Sequence, residues 1–128
     1  MVQGSAQSAP VSAPWHLDRI NQQALPLDGD VSHGPLSGQG IDIYIVDTGV
    51  RDTHEQLVNR AIAGLDVRTA DGSSVVNPPG SDCDGHGTHV AGLAAGTTVG
   101  VATGARVISV RVLDCNGFVH IIVLVLLL

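Results

Sequence analysis

Residues 82–92 read Asp-Cys-Asp-Gly-His-Gly-Thr-His-Val-Ala-Gly, and the other features of the sequence are best understood from this stretch. His86 lies between two glycines, which permit a tight turn, where the apolar pattern of a helix begins. The positive end of a helix disfavours protonation of a nearby imidazole, and a general base must be neutral to accept a proton. The stretch therefore predicts a helix that starts at a candidate base, His86. A capped helix with two histidines of no chemical role is the simpler alternative.

A strand that ends in a carboxylate precedes this stretch. Residues 41–46 are mostly β-branched and almost all apolar, which predicts a strand buried on both faces of a parallel sheet. Asp47 follows directly, and sites in open α/β sheets lie outside the carboxyl ends of the strands, so we expect Asp47 and His86 to meet there. An aspartate that only caps a turn is the alternative. Residues 61–67 and 106–114 predict two further strands.

Two motifs carry a resemblance to a known family. His-Gly-Thr-His-Val-Ala-Gly at 86–92 resembles the histidine motif of the subtilisin-like serine peptidases (peptidase S8) at all seven positions, and Val-Asp-Thr-Gly-Val at 46–50 resembles the aspartate motif. The resemblance implies the N-terminal, incomplete portion of a subtilisin-like α/β fold, with a mostly parallel sheet flanked by helices. It also implies serine endopeptidase chemistry on protein or peptide substrates. His86 would be the base and His89 structural, while Asp47 would hold the tautomer of His86 and stabilise its imidazolium.

The start of the resemblance, at residues 13–20, is similar to the mature start of the proteinase K-like branch of the family. Several members of that branch carry a disulfide at the spacing of Cys83 and Cys115, the two cysteines of this chain. The resemblance thus implies a bridge between them and an oxidising, extracellular compartment. Taken from the residues alone, a pair of buried free thiols is the alternative.

A calcium site is a further implication of the same branch. Some of its members bind calcium in this region, and their pattern maps onto five oxygen-bearing residues within thirteen positions, namely Asp18, Asn21, Gln22, Asp28 and Asp30. Calcium takes six to eight oxygen ligands, most of which these side chains could supply. Asn21 stands where those relatives usually have Asp, which should weaken the site. A short amphipathic helical turn followed by a loop is the alternative.

The resemblance covers about residues 13–117, which predicts a partial peptidase domain. The family's nucleophile motif Gly-Thr-Ser-Met-Ala, its oxyanion-hole Asn and its Ser-Leu-Gly-Gly strand have no counterpart in the sequence. Residues 1–12 contain no apolar core of a signal peptide and are expected to form a disordered leader, whereas residues 118–128 form an atypical apolar tail. We therefore expect a chain truncated before its nucleophile. The alternative function is a catalytically inactive fragment or interaction module of a secreted subtilase.

Charge and histidine spacing bear on the other classes of function. A net charge of −6 argues against nucleic acid and anionic membranes as partners, and the apolar tail is too short for a transmembrane helix. A metal site built on Asp84, His86 and His89 is the remaining alternative, because two histidines three positions apart can share a metal. That site would require both imidazoles to converge.

Overall fold

The computed structural model describes residues 13–31, 36–66, 75–76 and 82–118. The predicted leader at 1–12 and nearly all of the predicted apolar tail, residues 119–128, lie outside the described residues. The chain divides into two compact units, Met1–His33 and Gly34–Leu128.

The first unit contains one described helix, α1 (Trp15–Asn21). It begins after Pro14, whose carbonyl accepts hydrogen bonds from the N–H groups of Leu17 and Asp18. Proline is tolerated at this N-cap position because its missing N–H takes no part in the hydrogen bonds of the helix. Leu17 and Asp18 are buried, and one carboxylate oxygen of Asp18 accepts a hydrogen bond of 2.8 Å from the Gly29 N–H. The loop that follows α1 therefore folds back onto the helix.

The second unit is built on a four-stranded sheet with strand order β1-β4-β2-β3. Strands β1, β4 and β2 run parallel, and the short β3 pairs antiparallel with β2. The elements are β1 (Asp42–Asp47), β2 (Ala61–Asp66), β3 (Val75–Val76), α2 (His86–Ala95) and β4 (Arg106–Arg111). The predicted α/β class with a mostly parallel sheet is thus confirmed. Each predicted strand is present, although β4 is shorter than the predicted range 106–114.

Helix α2 packs closely on the sheet because the fully buried residues of its inner face are small. Gly87, Ala91 and Ala95 are buried and lie four positions apart, so they share one face of the helix. A Cβ at Gly87 would lie 2.1 Å from the carbonyl oxygen of Gly49, which no side chain could tolerate. Glycine therefore lets the first turn of α2 approach the loop after β1.

The expectation that β1 is buried on both faces is wrong. Ile45 is buried in the core beside Ala91 and Ala95, but Tyr44 and Val46 on the opposite face are 62% and 48% exposed. Successive side chains of a strand point to opposite faces, and in the described part of this unit α2 is the only helix. One face of the sheet is thus covered and the other is open. Ile62 and Leu65 of β2 are also exposed.

Candidate active site

Asp47 and His86 are brought together at the carboxyl edge of the sheet, as predicted. Asp47 is the last residue of β1 and His86 is the first residue of α2. The imidazole Nδ1 lies 2.8 Å from both carboxylate oxygens of Asp47. One of these oxygens also accepts a hydrogen bond of 2.7 Å from the Thr48 N–H, which fixes the carboxylate. Because an ionised carboxylate can only accept, Nδ1 carries the proton that joins the pair.

The pKa of His86 differs in direction from the expectation based on the helix start alone. The hydrogen bond and the charge of Asp47 raise the pKa of His86 above its ordinary value of 6.5. The adjacent carboxylates of Asp84 and Asp82 add to this effect. The expected preference for the neutral form is therefore wrong in direction, since a contacting carboxylate outweighs the partial charge of the helix end.

The exposure of the two side chains suits proton transfer. The side chain of His86 is 60% exposed, whereas that of Asp47 is 13% exposed. Among the described residues, none forms a hydrogen bond with Nε2 of His86. With its proton on Nδ1, the neutral ring presents Nε2 as an open acceptor. The arrangement can orient an imidazole, accept a proton at Nε2 and stabilise the resulting imidazolium.

The loop before α2 provides two aspartates that accept hydrogen bonds from the start of the helix, and one of them also contacts a distant residue. Asp84 accepts a hydrogen bond from the His86 N–H, and Asp82 accepts from the N–H groups of Gly85 and Thr88. Asp82 also accepts from the hydroxyl of Thr48, 34 positions earlier. No local pattern signals such a distant partner. The only sign of this contact in the sequence is that a threonine lies close to each candidate residue: Thr48 directly follows Asp47, and Thr88 lies two positions after His86.

The cysteines form the disulfide that the resemblance implied. The Cα atoms of Cys83 and Cys115 are 5.2 Å apart, and the sulfurs are bonded. The Arg111 guanidinium is buried against this bridge, with Nη2 2.6 Å from the sulfur of Cys83. The bridge ties the loop before α2 to the chain that leaves β4.

The five predicted calcium ligands all lie in the first unit, linked in part by hydrogen bonds. Gln22 accepts from the Asp28 N–H at 3.2 Å, and Asp28 accepts from the Asp30 N–H at 3.0 Å. Asn21 and Asp30 are exposed. The second oxygen of Asp18, Oδ1, is buried and has no hydrogen-bond partner. The structure therefore places these residues in α1 and in the loop that follows it, and one buried oxygen among them, Oδ1 of Asp18, is unpaired.

The alternative metal site at Asp84, His86 and His89 does not form. Within 13–31, 36–66 and 82–118, no three side chains of the His, Cys, Asp or Glu type are grouped so that they could hold a metal ion. His89 is exposed on α2, and the Nδ1 of His86 is occupied by Asp47. In the same described residues, no helix is long and apolar enough to cross a membrane.

A comparison with known proteins agrees with this geometry. The model of the subtilase family (peptidase S8) matches residues 38–123, which include both Asp47 and His86. The chain belongs to the subtilase family. This confirms the resemblance that the two motifs indicated.

Individual relatives of this subtilase chain are serine proteinases. It is 49% identical over 105 residues to an "Extracellular serine proteinase" of Thermus sp. (strain Rt41A), covering 82% of this chain and 24% of that protein. It is 42% identical over 113 residues to "Alkaline serine exoprotease A" of Vibrio alginolyticus, covering 88% of this chain and 20% of that protein. The chain thus spans about a quarter or less of the length of these relatives.

Solved structures support the fold of this subtilase chain. A crystal structure of a cold adapted subtilisin-like serine proteinase matches with a TM-score of 0.74 and 41% identity, over 85% of this chain and 37% of that chain. Sphericase matches with a TM-score of 0.65 and 30% identity, over 88% of this chain and 36% of that chain. The sheet and helices described above therefore form part of a subtilisin-like α/β fold.

Proposed function

We propose that this subtilase chain supplies the aspartate and the histidine of a Ser-His-Asp centre in a serine endopeptidase that acts on proteins or peptides. The contact between Nδ1 of His86 and the carboxylate of Asp47, at 2.8 Å, is the observation that carries this proposal. It leaves Nε2 directed away from Asp47 on an exposed ring, which is where a serine hydroxyl would give up its proton.

The reaction assigns each of the two residues one task. Nε2 of His86 accepts the hydroxyl proton as the serine oxygen bonds to the scissile carbonyl carbon, and the imidazolium then returns that proton to the leaving amine. Asp47 holds the ring in the tautomer with its proton on Nδ1 and stabilises the transient positive charge. None of the nine serines of the chain lies in a Gly-Thr-Ser-Met-Ala sequence, so the nucleophile comes from outside these 128 residues.

A graft tests this assignment. Residues 13–117 would replace the matching part of the Thermus relative, which is 49% identical, and hydrolysis of a fluorogenic peptide would be measured. We expect activity that a serine-directed inhibitor abolishes. Relative to that graft, His86→Ala should lower kcat about 10⁶-fold and Asp47→Asn about 10⁴-fold, the magnitudes known for subtilisin, a member of this family.

The control for the graft is His89→Ala, because His89 is an exposed histidine on the same helix. This variant should keep most of the activity of the parent graft. An active graft whose rate is unaffected by His86→Ala or Asp47→Asn would contradict the proposed roles of these residues.

A non-catalytic interaction module is the second candidate function, and the open face of the sheet favours it. Tyr44, Val46, Ile62 and Leu65 expose 41–62% of their surface on strands β1 and β2. Apolar side chains clustered on one face are typical of a surface that another polypeptide covers. A graft that folds but lacks activity would favour this function over the first.

Calcium binding by the first unit is another part of the proposal. The donor set is entirely oxygen, as calcium requires, and the unpaired buried oxygen of Asp18 is the kind of atom that a bound cation satisfies. In the structure, Asp18, Asp28 and Asp30 are not grouped closely enough to hold a metal ion, so the five residues Asp18, Asn21, Gln22, Asp28 and Asp30 would hold calcium only after the loop that follows α1 rearranges. When bound, calcium would neutralise the carboxylates and cross-link the loop after α1.

Thermal unfolding tests the calcium site. Calcium at one hundred times its Kd should stabilise the folded chain by about 2.7 kcal/mol, because it binds the folded state only. Asp18→Asn should remove this effect, whereas Glu55→Gln, at an exposed carboxylate of the second unit, should retain it. Equal stabilisation of both variants would show that calcium binds elsewhere.

The proposal also includes the limits of the peptidase domain and an extracellular location for the protein. Residues 13–117 form the partial peptidase domain, with a leader at 1–12 and an apolar tail at 118–128. The protein is extracellular. The disulfide supports this, because such bonds persist in oxidising compartments, as does the relative named as an extracellular serine proteinase.

A further inference from the structure

The carboxylate of Asp82 is the centre of a hydrogen-bond network beside the Asp47–His86 pair. Its Oδ1 accepts from the Thr48 hydroxyl at 2.9 Å and from the Gly85 N–H at 2.8 Å. Its Oδ2 accepts from the Thr88 N–H at 2.9 Å and from the Thr88 hydroxyl. Four donors from three segments of the chain thus converge on one side chain.

The two threonines extend this network to both sides of the pair. The Thr48 oxygen, while donating to Asp82, accepts from the Gly87 N–H at 3.0 Å. The Thr88 oxygen likewise accepts from the Arg51 N–H at 2.9 Å. Thr48 follows Asp47 in the chain and is completely buried, whereas Gly87 follows His86. The network therefore fastens the loop after β1 to the first turn of α2 at two points.

Only an ionised carboxylate satisfies all four donors. An ionised Asp accepts at both oxygens, whereas an Asn in its place would turn an NH₂ group toward two of the donors. Burial alone would raise the pKa of Asp82, but the hydrogen bonds from Thr88, Gly85 and Thr48 outweigh it and hold that pKa below its ordinary value of 3.8. Asp82 is therefore ionised whenever His86 can act as a base.

We propose that Asp82 is a positioning residue of the active site, which holds the Asp47 loop and the start of α2 in the register that joins Nδ1 of His86 to Asp47. The importance of Asp82 for catalysis rests on the proposed function, whereas its effect on the geometry of the Asp47–His86 pair can be tested in this chain alone. The hydrogen bonds of Asp82 go to Thr48, Gly85 and Thr88 and not to Asp47 or the imidazole, so it acts through the loop after β1 and the first turn of α2.

The test measures the pKa of His86 by NMR titration of its ring in the 128-residue chain. The carboxylates of Asp47, Asp84 and Asp82 raise this pKa, in that order of effect. If Asp82 acts only through its charge, Asp84→Asn should lower the pKa of His86 at least as much as Asp82→Asn does. If Asp82 positions the pair, Asp82→Asn should lower the pKa of His86 more than Asp84→Asn does. The decrease should be more than half of that caused by Asp47→Asn.

Thr88 offers a probe that changes no charge. Thr88→Val keeps the shape of the side chain but loses both hydroxyl hydrogen bonds, and it should lower the pKa of His86 and weaken the signal of the proton on Nδ1. Thr88→Ser retains the hydroxyl and should behave as the parent chain. If Asp82→Asn does not fold, this pair of threonine variants decides the matter.

The possible failures are distinguishable. If Thr88→Val matches the parent and Asp82→Asn changes the pKa of His86 no more than Asp84→Asn, Asp82 acts only by its charge and the inference is overturned. If Asp47→Asn leaves the pKa of His86 unchanged, the Asp47–His86 pair does not form in solution. In that case the proposed function loses its main support, and Asp82 has no pair to position.

Discussion

At the scale of single residues, the site depends on how one carboxylate meets one imidazole. Asp47 places both of its oxygens 2.8 Å from Nδ1 of His86, so the ring is held at one nitrogen and left open at the other. The same contact that orients the ring also raises its pKa. Orientation and charge stabilisation therefore have a single structural cause, and both should be lost together when either residue is replaced.

The pH dependence of stability should reveal this contact. The pKa of His86 is raised in the folded chain above the ordinary value of 6.5, so the folded state binds the proton more tightly than the unfolded state does. The resulting stabilisation is fully present below about pH 6.5 and is lost as the pH rises through the pKa of the folded state. We therefore expect His86→Gln to destabilise the chain most at acidic pH. Urea unfolding from about pH 5 to pH 9 would measure the difference.

His89→Gln is the matched control, since His89 is an exposed histidine three positions further along α2. Its effect on the free energy of unfolding should not vary with pH in the same manner. A destabilisation by His86→Gln that grows with rising pH would have the wrong sign and would contradict the contact.

The sequence predicted which two residues meet but not how they are held. Asp47 and His86 could be paired because one ends a strand and the other starts a helix, and both locations are visible in local patterns. The bond between Asp82 and Thr48 joins positions 34 residues apart and depends on the packing of α2 against the loop after β1. The pKa of His86 was misjudged because the helix end is a local feature, whereas the opposing charge comes from Asp47, 39 positions away.

At the scale of elements, the disulfide and helix α2 determine how the site is supported. Cys83 lies in the loop that leads into α2, and Cys115 lies beyond the end of β4. Since β4 pairs with both β1 and β2, this bridge connects the start of α2 to the middle of the sheet. The buried Arg111 at the end of β4 contacts the bridge from the sheet side.

Loss of the bridge should destabilise the chain. It closes a loop with a sequence separation of 32, and the chain-entropy model assigns about 4 kcal/mol to a loop of that length. We expect the double variant Cys83→Ser, Cys115→Ser to unfold at a correspondingly lower urea concentration than the oxidised parent. A thiol reductant should lower the stability of the parent and leave the double variant unchanged. Equal stability of the two oxidised proteins would contradict the prediction.

The positions of the strands and of α2 could be predicted because each depends on the residues within the element and directly beside it. Residues 41–46 gave the position of β1, because β-branched residues are common in strands. A continuous apolar run does not show which faces are covered, since that depends on the layers packed against the sheet. Tyr44 and Val46 are exposed because α2 covers only the face that carries Ile43 and Ile45.

At the scale of the whole molecule, the catalytic centre of a serine peptidase requires several groups, and only some of their motifs are found in these 128 residues. It aligns with 24% of the Thermus relative and 37% of a solved subtilisin-like chain, in a region that contains Asp47 and His86. The family resemblance places the nucleophile, the oxyanion donor and the substrate-binding strand in motifs that have no counterpart in these 128 residues. Under the proposed function, His86 would therefore depend on a serine hydroxyl that no motif of these 128 residues supplies.

We therefore predict that the 128-residue chain, purified alone, does not hydrolyse peptides above the uncatalysed rate. Ser109, the one serine on a described strand, is buried in β4, and no serine lies in the nucleophile motif. Without a nucleophile no acyl-enzyme forms, and the residual catalysis that an oxyanion hole gives to a triad-deficient peptidase requires a donor that is also missing. A fluorogenic peptide assay, with and without a serine-directed covalent inhibitor, measures this. Inhibitor-sensitive turnover that disappears in His86→Ala would contradict the prediction, because it would require another residue of this chain to serve as the nucleophile.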